Sequence, residues 1–277
     1  MLAGLREVLE PAAAAGTGVG AFNVICLEHA EALVWAAEAA ELPVVLQVSE
    51  NAVLYHRSLK PIVIATVALA RNADVPVVVH LDHVTDVDLV RAGLTLGATS
   101  VMFDGSRRPY EENVAVTADV VRYCHQRGVD VEAELGEVGG KNGVHSATAR
   151  TRPDEAVSFV ADTKVDALAV AVGSSHAMTE RTTKLDLELV GRLAGAVEVP
   201  LVLHGSSGVP DGELVRAVRA GLTKINIGTH LNAVLTASVR ATLTEQPRLV
   251  DPRKYLGPAR DNVAVEAERL LRLLAHP

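Results

Sequence analysis

Three histidines of this 277-residue chain stand where they could hold a metal ion. His83, His176 and His204 each follow an apolar, largely β-branched run that is typical of a buried strand. A lone histidine in such a place is most often an ordinary hydrogen-bonded residue, but three at equivalent positions favour a shared ligand. Three imidazoles with an open fourth position are the ligand set of a catalytic zinc ion. The pattern therefore predicts a zinc centre.

The first of these histidines belongs to a cluster of polar residues that ends an apolar run. Asp82 directly precedes His83, and strand alternation would send two adjacent side chains to opposite faces. Both can serve one site only if the strand ends or bulges there, and we predict that it does one or the other. His80 lies deeper in the run and is expected to pack or to support the site. Asp86 and Asp88 are expected to cap and charge the next helix.

Two short segments have the composition of phosphate-binding turns. The stretch "HGSSG", residues 204–208, follows one apolar run, and "NIGT", residues 226–229, ends the next. Glycine lets the backbone approach an anion closely, and the N–H groups at a helix N-terminus attract negative charge. A single glycine–serine turn is weak evidence, but two in consecutive loops predict a phosphate site.

Eight apolar runs alternate with alanine-rich stretches of helical period. The runs span residues 19–25, 43–49, 76–83, 100–105, 130–136, 167–175, 199–207 and 223–229. This alternation predicts an α/β protein, a single-domain (β/α)₈ TIM barrel over residues 1–277, with its chemistry at the carboxyl ends of the strands. A doubly wound open sheet is the alternative, but "AFNVICLEHAE" lacks the glycine fingerprint expected after its first strand.

Composition and charge argue against several classes of protein. With a net charge of −8 and no basic stripe, the chain is not expected to bind nucleic acid. No run of 18 apolar residues without a charge occurs, so no membrane span is expected. The N-terminal segment is predicted to be a short helix ended by Pro11, and a cytoplasmic location is expected. Cys26 and Cys124 form no CxxC pair and are expected to stay reduced.

Nearly the whole sequence resembles one known family. The matching blocks include, in order, "GAFNV", "HLDH", "FDGS", "EAELGEVGG", "DALAVAVGSSH", "VPLVLHGSSGVP", "KINIGT" and "DPRKYLGPAR". In these blocks the chain is similar to the class II, zinc-dependent ketose-bisphosphate aldolases, which include fructose-bisphosphate and tagatose-bisphosphate aldolases. The resemblance implies a lyase of carbohydrate metabolism and glycolysis. It would reversibly cleave fructose-1,6-bisphosphate or tagatose-1,6-bisphosphate to dihydroxyacetone phosphate and an aldehyde.

The resemblance also implies roles for individual residues. The three histidines would bind one zinc ion per subunit, and Asp82 would carry the hydroxyl proton when the C3–C4 bond is cleaved or formed. Asp104 and Glu134 match a second or alternative metal site. The positions that match substrate and phosphate contacts are Asn23, Ser49, Gly205, Ser206, Ser207, Asn226, Ile227, Gly228 and Thr229. A bound monovalent cation and a homodimer or homotetramer are further implications.

The chemistry of aldol cleavage agrees with the resemblance. The reaction has to stabilise an enediolate, and a zinc ion can do so as a Lewis acid, so no lysine Schiff base is required. A carboxylate at Asp82 can then move one proton in each half-reaction. If the metal were dispensable, Lys224 and Lys164 would be the candidates for a Schiff base, but the three histidines would then have no role.

The chain departs from the family in two loops. Residues 139–155 form the longest polar connection, which we predict to be a mobile lid. There Lys141 and Asn142 stand about where the family has acids, one of them a favoured proton-abstracting base. The segment 177–181 replaces a glycine that normally contacts substrate, and its Glu180 could replace the missing base. The basic residues of the lid either form a clamp for an extra phosphate or carboxylate or are merely solvated: Lys141, His145, Arg150 and Arg152.

These departures leave two other functions open. The chain could be a divergent class II aldolase that acts on another phosphorylated sugar or on a sugar acid. It could also be a weakly active paralogue that binds metal and phosphate as a sensor or partner subunit. Such a paralogue would bind zinc without exchanging the C–H proton of dihydroxyacetone phosphate.

Overall fold

Eight parallel strands close into a barrel in which strands adjacent in sequence are also adjacent in space. The structure is a computed structural model and describes residues 1–135, 150–176 and 178–277. The strands are β1 (Val19–Asn23), β2 (Val44–Ser49), β3 (Val77–Val84), β4 (Ser100–Phe103), β5 (Asp130–Leu135), β6 (Ala167–Val170), β7 (Leu201–Leu203) and β8 (Leu222–Ile227). Because β1 also pairs with β8, the predicted TIM barrel is confirmed and the alternative of an open sheet is wrong.

Helices connect the strands and cover the outside of the barrel. They are α1 (Leu5–Ala15), α2 (Leu27–Ala40), α3 (Glu50–His56), α4 (Lys60–Asn72), α5 (Val87–Thr95), α6 (Tyr110–His125), α7 (Pro153–Thr163), α8 (Leu187–Ala196), α9 (Asp211–Arg219), α10 (Thr229–Glu245) and α11 (Arg253–Ala275). Within the described ranges, no single helix is long and apolar enough to cross a membrane. The pair α3 and α4 passes that test only together, with a bend of 119° between them.

Apolar side chains on the two faces of the sheet form two separate cores. Outward-facing residues such as Phe22 and Leu46 pack with the helices and are fully buried. Inward-facing residues such as Val45 and Val78 fill the lower barrel together with Leu5 of α1. Burial on both faces explains why the strands are nearly continuous apolar runs.

A bulge in β3 brings two adjacent polar side chains to one site. Between Leu81 and Val84, β3 advances by three residues while its partner β4 advances by two. His83 has the left-handed φ of 52°. One extra residue interrupts the alternation, so the side chains of Asp82 and His83 both line the same cavity. The prediction that the strand ends or bulges here is confirmed, and the bulge is the alternative that occurs.

The first helix continues beyond the proline that was expected to end it. Pro11 lies inside α1, which runs on to Ala15. Alanine is the strongest helix former, and four alanines follow the proline, which offsets the backbone hydrogen bond that proline removes. Gly16, with φ of 66°, ends the helix in the left-handed conformation that glycine adopts readily.

The predicted lid at residues 139–155 falls mostly outside the described residues, as do Lys141, Asn142 and His145. Its last three residues are not loop but the start of α7, which begins at Pro153. Proline suits the first position of a helix because its missing N–H would have no partner there. The predicted loop is therefore too long at its carboxyl end, and its mobility stays a prediction.

Both cysteines are free thiols, as their spacing predicts. Burial raises the pKa of Cys26 to about 11 and that of Cys124 to about 12. The thiolate is the nucleophilic form of cysteine, so a thiol that stays protonated at neutral pH is unreactive. Neither cysteine is therefore suited to nucleophilic catalysis.

Candidate active site

The three predicted histidines converge at the carboxyl end of the barrel. His83 comes from the bulged end of β3, His176 from the loop after β6, and His204 from the end of β7. The ring centroids are 4.6 Å apart for His83 and His204, 5.2 Å for His83 and His176, and 6.0 Å for His176 and His204. One nitrogen from each ring lies within 4.8 Å of the others, a spacing that could hold a metal ion.

Two of these histidines have their outer ring nitrogen bound to a carboxylate. His83 Nδ1 lies 2.9 Å from Asp104 Oδ2, and His204 Nε2 lies 2.8 Å from Glu132 Oε1. A carboxylate accepts, so each outer nitrogen carries the hydrogen and each inner nitrogen carries a lone pair. The inner nitrogens, His83 Nε2 and His204 Nδ1, face each other at 2.9 Å.

Two lone pairs at this distance require a positive charge between them. Burial, reinforced by the nearby His83 and Lys224, lowers the pKa of His204 well below its ordinary value, so a proton on this ring is disfavoured. A metal cation satisfies both lone pairs, and imidazole nitrogen is a preferred zinc ligand. Histidine rings oriented by carboxylates are common at metal sites. The residues present therefore fit a metal ion.

Asp82 lies beside the histidines and is held by two amide donors. Gln47 Nε2 donates to Oδ1 at 2.7 Å, and Asn23 Nδ2 donates to Oδ2 at 3.2 Å. Burial works to raise the pKa of Asp82, but nearby histidine and lysine side chains and the Asn23 hydrogen bond outweigh it and lower the pKa. The carboxylate is therefore ionised at neutral pH and can accept a proton.

A layer of buried polar side chains lies inside the barrel beneath the histidines. Lys224 Nζ donates to Glu132 Oε2 at 2.7 Å, and His80 Nδ1 lies 2.8 Å from Ser100 Oγ. The prediction that His80 packs or supports the site is thus confirmed. Sequence reasoning did not assign Gln47 or Glu132 a part in the site. The signal available was a polar residue at alternate positions of an apolar strand.

The two glycine-containing turns are built so that no side chain fits at the glycines. A Cβ on Gly205, whose φ is 65°, would lie 2.6 Å from the backbone carbon of Ser175. A Cβ on Gly228 would lie 2.4 Å from Asn23 Oδ1, displacing the side chain that donates to Asp82. Both glycines therefore keep the turns close against the site.

The serines of the first turn differ in their surroundings. Ser206 is buried and its hydroxyl donates to the backbone carbonyl of Asn226, which ties β7 to β8. Ser207 Oγ accepts from the backbone N–H groups of Gly228 at 3.3 Å and His230 at 3.2 Å, at the start of α10. The hydroxyl oxygen of Ser207 thus accepts from N–H groups at a helix N-terminus, a position that attracts negative charge.

A cavity of about 160 Å³ unites most of the predicted site residues. Its lining consists of Asn23, Ser49, Asn51, Asp82, His83, His176, His204, Gly205, Ser207, Asn226, Gly228 and Thr229. Asn51, at the start of α3, is an addition that the sequence did not suggest. Ser206 and Ile227, which the sequence also suggested, do not line the cavity.

Two further predicted metal ligands lie behind His83. Ligand atoms of His83, Asp104 and Glu134 come within 4.8 Å of one another, and both acids are buried. Asp104 Oδ1 also accepts from the hydroxyl of Ser106 at 2.6 Å. These three residues therefore form a cluster that could hold a metal ion, and the alternative metal site stays a prediction.

The loop after His176 is fastened to the first glycine turn. Arg181 Nη2 donates to the backbone carbonyl of Val209 at 2.7 Å and pairs with Asp211 at 2.6 Å.

Glu180 is exposed and does not line the cavity. Of the predicted basic clamp, Arg152 pairs with Asp154 on α7 at 2.6 Å.

A match to a protein-family model identifies the family of this barrel protein. The model described as "Fructose-bisphosphate aldolase class-II" matches residues 3–276. The chain belongs to the class II fructose-bisphosphate aldolase family. It is therefore an aldolase, which is a lyase, and family members are generally metal-dependent.

Individual relatives resemble this aldolase over most of their length. The fructose-bisphosphate aldolase of Geobacillus stearothermophilus is 40% identical over 266 residues, which cover 95% of this chain and 93% of the relative. That of Giardia intestinalis is 37% identical, covering 94% of this chain and 88% of the relative. The structure of the YdjI aldolase from Escherichia coli K12 has a TM-score of 0.87 at 33% identity, covering 99% of this chain and 97% of that chain.

Proposed function

We propose that this aldolase holds one zinc ion with His83, His176 and His204 and uses it to cleave a phosphorylated ketose reversibly. The products are dihydroxyacetone phosphate and an aldehyde. The observation that carries the proposal is the pair of imidazole nitrogens, His83 Nε2 and His204 Nδ1, that lie 2.9 Å apart next to the ionised carboxylate of Asp82. When bound, zinc supplies Lewis-acid stabilisation of the negative charge that develops on the ketose oxygens.

Side chains and backbone groups of the protein carry out proton transfer and phosphate binding. Asp82 accepts the hydroxyl proton during cleavage and returns it during condensation. Gln47 and Asn23 hold its carboxylate through the hydrogen bonds at 2.7 Å and 3.2 Å. The backbone N–H groups around Gly205 and Gly228 bind the phosphate of dihydroxyacetone phosphate, because both turns lie against the cavity and lead into helices.

The names of the relatives indicate the substrate more directly than the shape of the cavity does. Two relatives at 37% and 40% identity carry the name fructose-bisphosphate aldolase, which favours fructose-1,6-bisphosphate. Tagatose-1,6-bisphosphate is the second candidate on the resemblance described above. The proposal further includes a cytoplasmic homodimer or homotetramer, a bound monovalent cation, an alternative metal position at Asp104 and Glu134, and a mobile lid within residues 139–155.

A substrate panel with and without metal tests the proposed function. Fructose-1,6-bisphosphate, tagatose-1,6-bisphosphate and other phosphorylated ketoses are incubated with zinc-loaded protein, and dihydroxyacetone phosphate is measured. We expect cleavage of at least one bisphosphate, its loss after treatment with a chelator, and its return on adding zinc or cobalt.

Two outcomes would contradict the proposal. Activity that survives chelation, together with a borohydride-trapped substrate adduct on lysine, would show a Schiff-base mechanism. Zinc binding without cleavage of any ketose and without exchange of the C–H proton of dihydroxyacetone phosphate would show a binding paralogue.

A further inference from the structure

A fully buried ion pair lies in the barrel interior beneath the histidines. Nζ of Lys224, on β8, donates to Oε2 of Glu132, on β5, at 2.7 Å, and neither side chain is accessible to solvent. The other carboxylate oxygen, Oε1, lies 2.8 Å from Nε2 of His204. The lysine is thus connected to a histidine of the site through a single carboxylate.

An ion pair is a costly way to fill the interior of a barrel. Removing both charges from water carries a large desolvation penalty, and an apolar pair of similar volume is often as stable or more stable. The neighbouring buried cluster is indeed apolar and includes Val78 and Met102. The stability of the fold therefore does not explain the charged residues at 132 and 224. The hydrogen bond between Glu132 and His204 offers an explanation.

We propose that Glu132 and Lys224 are positioning residues of the metal site, an inference that rests on the proposed zinc function. Lys224 engages Oε2 and thereby holds the carboxylate so that Oε1 is aimed at His204. The carboxylate in turn holds the ring so that Nδ1, with its lone pair, faces His83 Nε2.

The structure also argues against the two lysines that were considered for a Schiff base, Lys224 and Lys164. The Lys224 ammonium donates to Glu132, and Lys224 is not among the residues that line the cavity. Lys164 follows the carboxyl end of α7 and precedes β6, which places it at the opposite end of the barrel from His176. Neither amine is placed to form a Schiff base with a ketose in the cavity.

Zinc affinity, measured by competition with a chromophoric chelator, tests the role of the lysine. Lys224→Met leaves Glu132 without its ammonium partner, so the ring of His204 is no longer held, and zinc affinity is expected to fall about 10–100-fold. The absorption spectrum of the Co²⁺-loaded protein is expected to change in parallel, because it reports ligand geometry. Lys60→Met removes an exposed lysine at the start of α4 and should bind both metals as the parent does.

Two double variants separate the positioning role from folding. Both combine Lys224→Met with a neutral residue at 132, so neither leaves a buried charge, and both are expected to fold with apo-protein melting temperatures close to the parent's. Glu132→Gln retains an oxygen that accepts from His204 Nε2 and should restore zinc affinity and the Co²⁺ spectrum. Glu132→Leu offers no acceptor and should stay about 10–100-fold weaker.

Each result bears on a different part of the inference. If the two folded double variants bind zinc equally and share one Co²⁺ spectrum, Glu132 does not position His204. If Lys224→Met binds zinc as tightly as the parent, the lysine is not required. A parent protein that binds no zinc would instead overturn the proposed function, because the comparison among variants starts from its affinity.

Discussion

Replacing Asp82 with asparagine is expected to lower kcat for ketose cleavage by about 10²–10⁴-fold, the range typical of general acid–base groups. The amide has nearly the size of the carboxylate and keeps one oxygen, which can accept from Gln47 or from Asn23, but it does not take up the hydroxyl proton. Zinc content is expected to stay that of the parent. Steady-state kinetics of bisphosphate cleavage, with metal analysis of the same samples, provides the measurement.

The same variant separates two proton transfers. Dihydroxyacetone phosphate alone lacks the hydroxyl whose proton Asp82 carries, so exchange of its C–H proton should persist in Asp82→Asn. Asp88→Asn, at an exposed carboxylate of α5 a few residues away, is the matched control and should change neither rate. A variant that cleaves ketose at the parental rate, or that loses exchange as fully as cleavage, would show that the role given to Asp82 is wrong.

Replacing His83 with asparagine is expected to remove zinc binding and, with it, cleavage. The substitution takes away one of three nitrogens while keeping the backbone, because asparagine tolerates the left-handed φ of 52° found at this position. Loss of Lewis-acid stabilisation worth several kcal/mol corresponds to about 10³-fold or more in kcat/KM. Metal analysis after dialysis and cleavage assays at saturating zinc measure the two effects.

A matched histidine shows whether the loss is specific. His276→Asn changes an exposed histidine after the end of α11 and should leave zinc content and kcat/KM unchanged. The melting temperature of apo-protein carrying His83→Asn should stay near the parent's, since the residue is partly exposed at the rim. A His83→Asn variant that keeps stoichiometric zinc and full activity would exclude His83 from the ligand set.

The barrel could be predicted because its strands leave a simple trace in the sequence. Strands buried on both faces are apolar throughout, so runs such as 43–49 and 76–83 match β2 and β3 within one residue at each end. The run at 199–207 overstates β7, which ends at Leu203. The chain turns at Gly205 into a left-handed conformation, within the "HGSSG" segment whose composition already indicated a turn.

The position of the histidines could also be predicted, because each stands at the end of such a run. That β3 ends or bulges near Asp82 could be predicted from chemistry, because Asp82 and His83 are adjacent and both were assigned to one site. The hydrogen bonds that hold the site residues in place could not be predicted. Gln47 reaches Asp82 across 35 residues of sequence, and Lys224 reaches Glu132 across 92. Such pairs depend on strand register, which a single sequence does not reveal.

X-ray absorption at the zinc edge tests most directly whether these histidines hold the metal. Protein reconstituted with one equivalent of zinc is expected to show three imidazole nitrogens in the first coordination shell, contributed by His83, His176 and His204. In His83→Asn, any zinc that remains should show fewer imidazoles. A shell in the parent dominated by carboxylate oxygens, or an imidazole count unchanged by the substitution, would contradict the zinc site proposed for this aldolase.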